Sequence, residues 1–386
     1  MNKASGATWR SFRSGAGARE HTIAIEAPAD LDLPRQLDAV ARAYAEATQA
    51  LNLPQQTGVF RRIFASDIAN QSGQIRESSL FKEPYDSPVA VSLVQQPPLS
   101  GAKVAMLAYH IDGDGPLVKT EIAPGHVLVQ RGELGHLWST RLCPGDETGP
   151  SGAADQTRAV FDALISTLEA RGGGLADNCV RTWLYLKQVD VFYQDLVAAR
   201  RELFERHGLN RDTHYIASTG IEGACAHRYD VVLMDAYSIL GLRPEQVSYL
   251  NDLDRLCETK DYGVTFERGT RVAFADRAHH LISGTASIDA AGQVVHVGDV
   301  ERQLERAMEN IDHLLRSGGA RIEDMTHFIV YLRDASDRPR IAGYFAERFP
   351  DTPCVIVRGP VCRPEWLVEV EGIAAVAHHA PTLPAF

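Results

Sequence analysis

The stretch VCRPEWLVEVEGIAA, residues 361–375, sets apolar side chains alternately with Glu369 and Glu371. Alternation at period two predicts a strand with two distinct faces. Glutamate is a poor strand former and costs free energy when buried alone, so its presence there needs a reason. Similar strands occur earlier in the chain, at GAKVAMLAYHI (101–111) and RYDVVLMDAYS (228–238). Each is preceded by another strand rich in aromatic and β-branched residues: VFRRIFASD (59–67), VRTWLYLKQ (180–188) and THFIVYLRD (326–334).

The repeat extends upstream. GHLWSTRLCPGD (135–146) resembles HHLISGTASIDAAG (279–292), each a strand running into a turn, and a helix follows both. In DVERQLERAMENIDHLLRSGG (299–319), Leu304, Ala307, Met308, Ile311, Leu314 and Leu315 form one apolar face, and Gly318-Gly319 ends it. In DQTRAVFDALISTLEARGGG (155–174), Val160, Ala163, Leu164 and Leu168 do the same. The first copy has a helix at 34–52, but its upstream strands read as short or missing. A further helix at 190–208 is assigned to core packing. Each unit thus reads strand–strand–helix–strand–helix–strand, an α+β sandwich with helices on one face of a mixed sheet. The divisions predicted are a flexible leader over 1–20, a degenerate unit over 21–113, a unit over 118–241 and a unit over 265–379.

The bulk numbers narrow the function. A chain of 386 residues with 45% hydrophobic and 23% charged residues is ordinary for a globular protein. Its formal charge of −11 argues against nucleic acid as a partner, though a pocket can still be locally basic. No apolar run is long enough to span a membrane, and the basic N-terminal stretch has no apolar centre of the secretory kind. Cysteines 143, 179, 225, 257, 354 and 362 are scattered without a CxxC, which predicts reduced thiols in a cytoplasmic protein rather than a disulfide frame or zinc site. His279-His280 and His378-His379 lack a carboxylate or cysteine at metal-ligand spacing, and no glycine-rich phosphate loop is present, so neither metal nor cofactor is expected.

LISGTASID, FIVYLRD and the closing VCRPEWLVEVEGIA resemble the Rid (YjgF-like) superfamily. That resemblance implies tandem Rid/chorismate-mutase-like α+β units forming a pseudo-trimer within one chain, with small-molecule pockets in the clefts between units. It leaves a monomeric pseudo-trimer and a homo-oligomer both open. A long chain with degenerate N-terminal copies is similar to the chorismatases, through Ser283-Gly284-Thr285-Ala286-Ser287, the HVGD run ending at Gln303, and Cys362-Arg363 ahead of Glu369. The resemblance implies cleavage of chorismate to pyruvate plus a hydroxybenzoate or a dihydroxycyclohexadienoate. Two other readings stand beside it, a tandem Rid hydrolase or deaminase acting on imines or enamines, and a non-catalytic protein binding a small anionic metabolite.

Aligning the copies puts Ala105 and Leu233 where the third has Glu369, and Leu107 and Asp235 where it has Glu371. An acid shared by two copies suits a structural role; one planted in a single copy suits chemistry. Glu369 is therefore the expected general acid. A carboxyl in apolar surroundings stays protonated near neutrality and can protonate the carbon of an enol ether. Chorismate's carboxylates call for arginines, for which Arg363, Arg358, Arg271, Arg277 and Arg181 are candidates. Ser283, Gly284 and Thr285 offer hydroxyls and a close-approach glycine, and Cys362 joins the catalytic candidates through the resemblance. Rid imine deaminases carry an arginine upstream of the glutamate; the corresponding positions hold Ala90, Ser218 and Cys354, which weakens that alternative.

Overall fold

A computed structural model describes all residues except 1, 2, 5, 16, 83–86, 114, 116, 146–150, 253–254 and 257–263. Cys257 and part of the stretch between the second and third units lie outside the described residues. The first unit contains β1 (Lys3–Ala4), β2 (Ala7–Arg13), β3 (Arg19–Glu26), α1 (Leu33–Ala50), β4 (Gly58–Ala65), α2 (Ile68–Glu77), β5 (Ala90–Gln95) and β6 (Val104–Asp112). The second contains β7 (Val118–Ala123), β8 (His126–Arg131), β9 (Leu134–Leu142), α3 (Ala153–Glu169), α4 (Leu175–Asn178), β10 (Cys179–Leu186), α5 (Val189–Arg206), β11 (Ala217–Glu222) and β12 (Val232–Leu240). The third contains β13 (Val247–Tyr249), β14 (Gly269–Ala273), β15 (Arg277–Ala286), α6 (Val300–Ser317), β16 (Met325–Leu332), α7 (Arg338–Arg348), β17 (Cys354–Arg358) and β18 (Val368–Ala377).

Each unit is one six-stranded sheet, and the strand order is the same in all three when each is counted from its own first strand: 1-2-3-6-4-5. Among the described strands, the pairs β4–β5, β10–β11 and β16–β17 are the parallel ones, and in each a helix makes the crossover. The units therefore hold more strands than the sequence pattern predicted. The extra ones are short edge strands and the parallel strand after the second helix, whose brevity hides them from a periodicity reading.

Two expectations are corrected in the first unit. Residues 7–13, read as leader, form β2 and pair antiparallel with β3, while residues 1, 2, 5 and 16 lie outside the described residues. Both upstream strands are present, so the unit begins before residue 21. The reason is packing of a short aromatic strand: the Arg277 guanidinium of the third unit lies 5.4 Å from the centre of the Phe12 ring, and Arg10 donates to Thr352 Oγ1 at 2.9 Å.

The helices follow from local rules. Asp32 and Asp299 cap α1 and α6 by accepting from Arg35 and Arg302 backbone N–H groups. On α6 the predicted apolar face is buried from Leu304 to Leu315. Each sheet turns one face to its own helices and the other to a core shared by the three units. Strand alternation sorts the side chains: Leu233 joins the shared core with Phe60, Trp183 and Tyr331, while its neighbours Val232 and Met234 pack under α3 and α5. The result is a pseudo-trimer made by one chain.

Buried ion pairs stitch the three seams. Arg62 of the first unit pairs with Asp235 of the second at 3.3 Å. Arg181 of the second pairs with Glu371 of the third at 2.6 Å. Between third and first, Arg277 meets Glu20 at 2.7 Å, with His279 Nε2 also 2.9 Å from that carboxylate. The first unit has Leu107 at the position of Asp235 and Glu371, so its seam draws its acid from β3 instead.

Candidate active site

The strand register fixes which side chains are equivalent. Glu369 lies opposite Tyr331 as Leu233 lies opposite Tyr185 and Ala105 opposite Phe64. Its other neighbour on the sheet is Ala286 of β15. Glu371, two residues on and on the same side of the strand, reaches the seam. Its carboxylate accepts from Arg181, from Trp183 Nε1 at 2.8 Å and from Thr219 Oγ1. That is the structural role expected of the shared acid.

Glu369 instead faces a cavity of about 140 Å³ between the second and third units. One wall is the second unit: Tyr193, Gln194, Val197 and Arg200 from α5, and Ser218 and Gly220 from β11. The other is the third unit: Phe266 and Arg268 before β14, Gly284 and Ala286 on β15, and Cys362, Arg363 and Trp366 ahead of β18. Backbone contacts lock the walls together. Ser218 N donates to Ser283 Oγ at 2.9 Å, Gly284 N to Thr219 Oγ1 at 2.9 Å, and Glu222 N to Pro360 O at 3.1 Å.

Glu369 is 5% exposed, and among the described residues its Oε1 has no hydrogen-bond partner. Burial pushes its pKa up to about 8, with the Glu371 charge adding, against the opposing pull of Arg181 and Arg268. It is therefore largely a neutral acid near pH 7. Burial, then the neighbouring Glu369, pushes the Cys362 thiol up to about 12, so it is a thiol rather than a thiolate. Arg200 is 2% exposed; its Nε donates to Thr265 Oγ1 at 2.9 Å, while among the described residues Nη2 has no hydrogen-bond partner. The guanidinium of Arg363 stacks 4.7 Å from the Trp366 ring centre and donates to Gly292 O at 3.1 Å.

Gly284 explains why the carboxyl fits. A Cβ at that position would collide with the Glu369 carboxylate and stand 3.1 Å from the Thr219 methyl. Gly284→Ala is expected to swing the carboxyl aside and lower turnover about 10²-fold, the cost of misplacing a reacting group by about 1 Å. Comparing kcat with the urea midpoint checks this: a drop in kcat at unchanged stability supports it, and full activity overturns it.

The structure brings Glu369, Cys362, Arg363 and Gly284 to one cavity and leaves the other candidates outside it. Arg181 is 1% exposed and bound to Glu371, Thr219 and the Thr182 carbonyl. Arg277 is consumed by Glu20 and Asp276. Arg271 stands near His378 at 3.5 Å, and the exposed Arg358 sits at the end of β17, its backbone N–H bound to Pro97 O. The Ser283 hydroxyl donates to Glu267 O at 2.6 Å while accepting from Ser218 N, and Thr285 Oγ1 donates to Ser283 O at 2.9 Å. These hydroxyls pin the seam. Sequence reading missed Arg200, Tyr193 and Gln194 because α5 was given wholly to packing. The signal was there: 193, 197 and 200 fall on one helical face, and two of the three are polar.

Comparisons with known proteins agree with this layout. A family model described as Endoribonuclease L-PSP matches residues 273–376, which is the third unit. Over 101 residues the chain is 38% identical to 3-aminoacrylate deaminase RutC of Acinetobacter baylyi, a match spanning 25% of this chain and 76% of that protein. Over 258 residues it is 26% identical to 3-hydroxybenzoate synthase of Streptomyces hygroscopicus, spanning 60% of this chain and 73% of that one. A crystal structure of a chorismatase superposes with a TM-score of 0.62 over 83% of this chain and 93% of its own, at 19% identity, a likeness of fold. Among the described residues no helix is long and apolar enough to cross a membrane. With its strand order repeated three times, the chain belongs to the Rid (YjgF-like, endoribonuclease L-PSP) superfamily.

Proposed function

We propose that this protein cleaves chorismate to pyruvate and a hydroxybenzoate or dihydroxycyclohexadienoate, with Glu369 as the general acid. The observation that carries the reading is a buried carboxyl with an unpaired oxygen among the described residues, facing a cavity bordered by Arg200, Arg268 and Arg363, where burial raises its pKa. The relationship to 3-hydroxybenzoate synthase and the fold shared with a chorismatase support the choice of substrate.

Cleavage of the enol ether begins with a proton delivered to the terminal methylene carbon of the enolpyruvyl group, which leaves an oxocarbenium ion. Glu369 supplies the proton and its carboxylate then faces the cation. Water adding to that cation gives a hemiketal that collapses to pyruvate and the diol. Alternatively, a neighbouring ring hydroxyl intercepts it, and loss of pyruvate with aromatisation gives a hydroxybenzoate with no net water consumed. Cys362, a neutral thiol beside Glu369, lines the cavity where that partition is made.

Arg200 holds a substrate carboxylate from the second unit's wall. Arg200→Met is expected to raise KM about 10²-fold with a smaller change in kcat, because such an anchor binds ground and transition states alike. Arg200→Lys should recover part of the loss, and a KM that does not move rejects the assignment. For the function itself, purified protein is mixed with chorismate and pyruvate is followed by coupled NADH oxidation. Pyruvate release dependent on the protein supports the reading; none removes it. Kinship with 3-aminoacrylate deaminase RutC favours imine hydrolysis as the second reading, with the same carboxyl acting as a base on water. Ammonia release from an amino-acid-derived imine, without pyruvate from chorismate, would establish it.

A further inference from the structure

The cleft between the first and second units is the counterpart of the one just described. Gln95 N of the first unit donates to Ala224 O at 2.8 Å, as Glu222 N of the second donates to Pro360 O at 3.1 Å. Cys225 therefore stands where Val361 stands, Ala226 where Cys362 stands, and the Glu369 position is Leu233. This sister cleft has no acid at that place. It holds a different set of groups. Cys143, just past β9, faces Cys225, His227 and Asp230 from the β11–β12 loop, and one ligand atom from each lies within 4.8 Å of all the others.

We propose that Cys143, Cys225, His227 and Asp230 form a tetrahedral zinc site that ties the end of β9 to the β11–β12 loop. Cys143 Sγ is 3.4 Å from His227 Nδ1, His227 Nδ1 is 3.0 Å from Asp230 Oδ2, and Cys225 Sγ is 3.8 Å from Asp230 Oδ2. A tetrahedron with metal–sulfur bonds near 2.3 Å and metal–nitrogen and metal–oxygen bonds near 2.0–2.1 Å has edges of about 3.3–3.8 Å. These three separations are already close to that size, and the remaining ones lie within 4.8 Å. Thiolate and imidazole ligands favour zinc over the hard cations, which take oxygen.

The geometry separates a metal site from a nucleophilic triad. In a triad the imidazole takes the nucleophile's proton at one ring nitrogen and is oriented through the other. Here the same nitrogen, Nδ1, faces both Cys143 and Asp230. Four donor atoms converging on one point is what a cation requires. The supporting contacts fit as well. Asp230 is 2% exposed, and its Oδ2 also accepts from Gly145 N at 3.1 Å. Lys187 Nζ holds the His227 carbonyl at 3.0 Å, which fixes the loop carrying three of the ligands. Arg141 lines the same cleft and offsets the negative charge of two thiolates and a carboxylate around a divalent ion. The proposal departs from the expectation of no metal. The sequence concealed the set because Cys143 is far from the compact Cys225-x-His227-x-x-Asp230 segment.

The test uses the full chain, purified without chelator. Zinc is measured by elemental analysis, and the metal-stripped protein is titrated with Zn²⁺ and, separately, Co²⁺. One equivalent of zinc per chain is expected. Co²⁺ should give the intense visible bands of a tetrahedral site together with thiolate-to-cobalt charge transfer, both abolished by an excess of Zn²⁺. Cys225→Ser and Asp230→Asn should each lose the retained equivalent against a competing chelator, whereas Cys354→Ser should keep it. Wild-type protein that retains no zinc and gives only octahedral cobalt spectra overturns the proposal. So does recovery of Cys143 and Cys225 as a disulfide from protein handled without oxidant. The cobalt spectrum is read on the wild-type chain, so a variant that fails to fold does not blunt the test. Neither readout depends on pyruvate release, so failure here leaves the chorismate reading standing, and the converse also holds.

Discussion

Glu369→Gln is expected to lower kcat on chorismate by about 10²–10⁴-fold, the usual contribution of a positioned general acid, while making the folded protein more stable at alkaline pH. Glutamine keeps the shape of the neutral carboxyl and removes the proton it would donate. The stability effect follows from linkage. The pKa rises from 4.5 to about 8 on folding, so between those values the folded chain binds a proton that the unfolded chain has released. Wild-type stability therefore falls as pH climbs through that window. At about 1.4 kcal/mol per pH unit the ceiling is about 5 kcal/mol, and relaxation around the charge brings the realised gain to a few kcal/mol. Urea melts of both proteins at about pH 5 and about pH 9 should show near equality at the lower value and a more stable variant at the higher. Loss of activity without that gain would point to a misfolded site.

The same carboxyl sets the pH profile and its sign. An acid must be protonated, so kcat/KM should be level below about pH 8 and fall about tenfold per unit above it. If the group served as a base in imine hydrolysis, the rate would instead rise through that value. A flat profile across this range would remove Glu369 from either role.

Arg181→Met is expected to cost about 3–5 kcal/mol, because it strands Glu371 at the seam of the second and third units. The remaining guanidinium is that of Arg62, 3.7 Å from Glu371 Oε1 and already engaged with Asp235. Trp183 stands between the two arginines, with their guanidinium carbons 4.5 and 4.7 Å from its ring centre. Replacing both partners, as Arg181→Met with Glu371→Leu, should recover much of the loss, since an apolar pair has no charge to desolvate. A double-mutant cycle by urea unfolding measures the coupling. A single Arg181→Met that costs less than about 1 kcal/mol would show that the pair holds nothing together. The seam also reaches the cavity. Thr219 Oγ1 accepts from Arg181 and from the Gly284 backbone N–H, and donates to Glu371. Destabilised variants are therefore expected to lose activity through Gly284 before they unfold globally.

The third unit was the most legible part of the sequence, because its strands and α6 obey period-two and helical spacing without interruption. The first unit was least legible. Its β2 alternates weakly, and small and basic residues around it read as a leader until pairing with β3 is seen. The odd acid at 369 stood out because two sibling strands showed what the scaffold uses there. Its arginine partners did not. Arg181 and Arg277 carry the charge a substrate needs, but both are spent on acids from other units. Arg200 was overlooked on a helix that packs well on its other face.

By itself, then, the sequence determined a threefold α+β repeat and a single carboxyl out of register with its siblings, because periodicity and comparison among copies are properties of the chain alone. Tertiary structure decided which cations face that carboxyl, and it brought Cys143 to the Cys225–Asp230 loop. Both depend on distances across seams between units, where residues remote in sequence become neighbours only once the three sheets close around their common core.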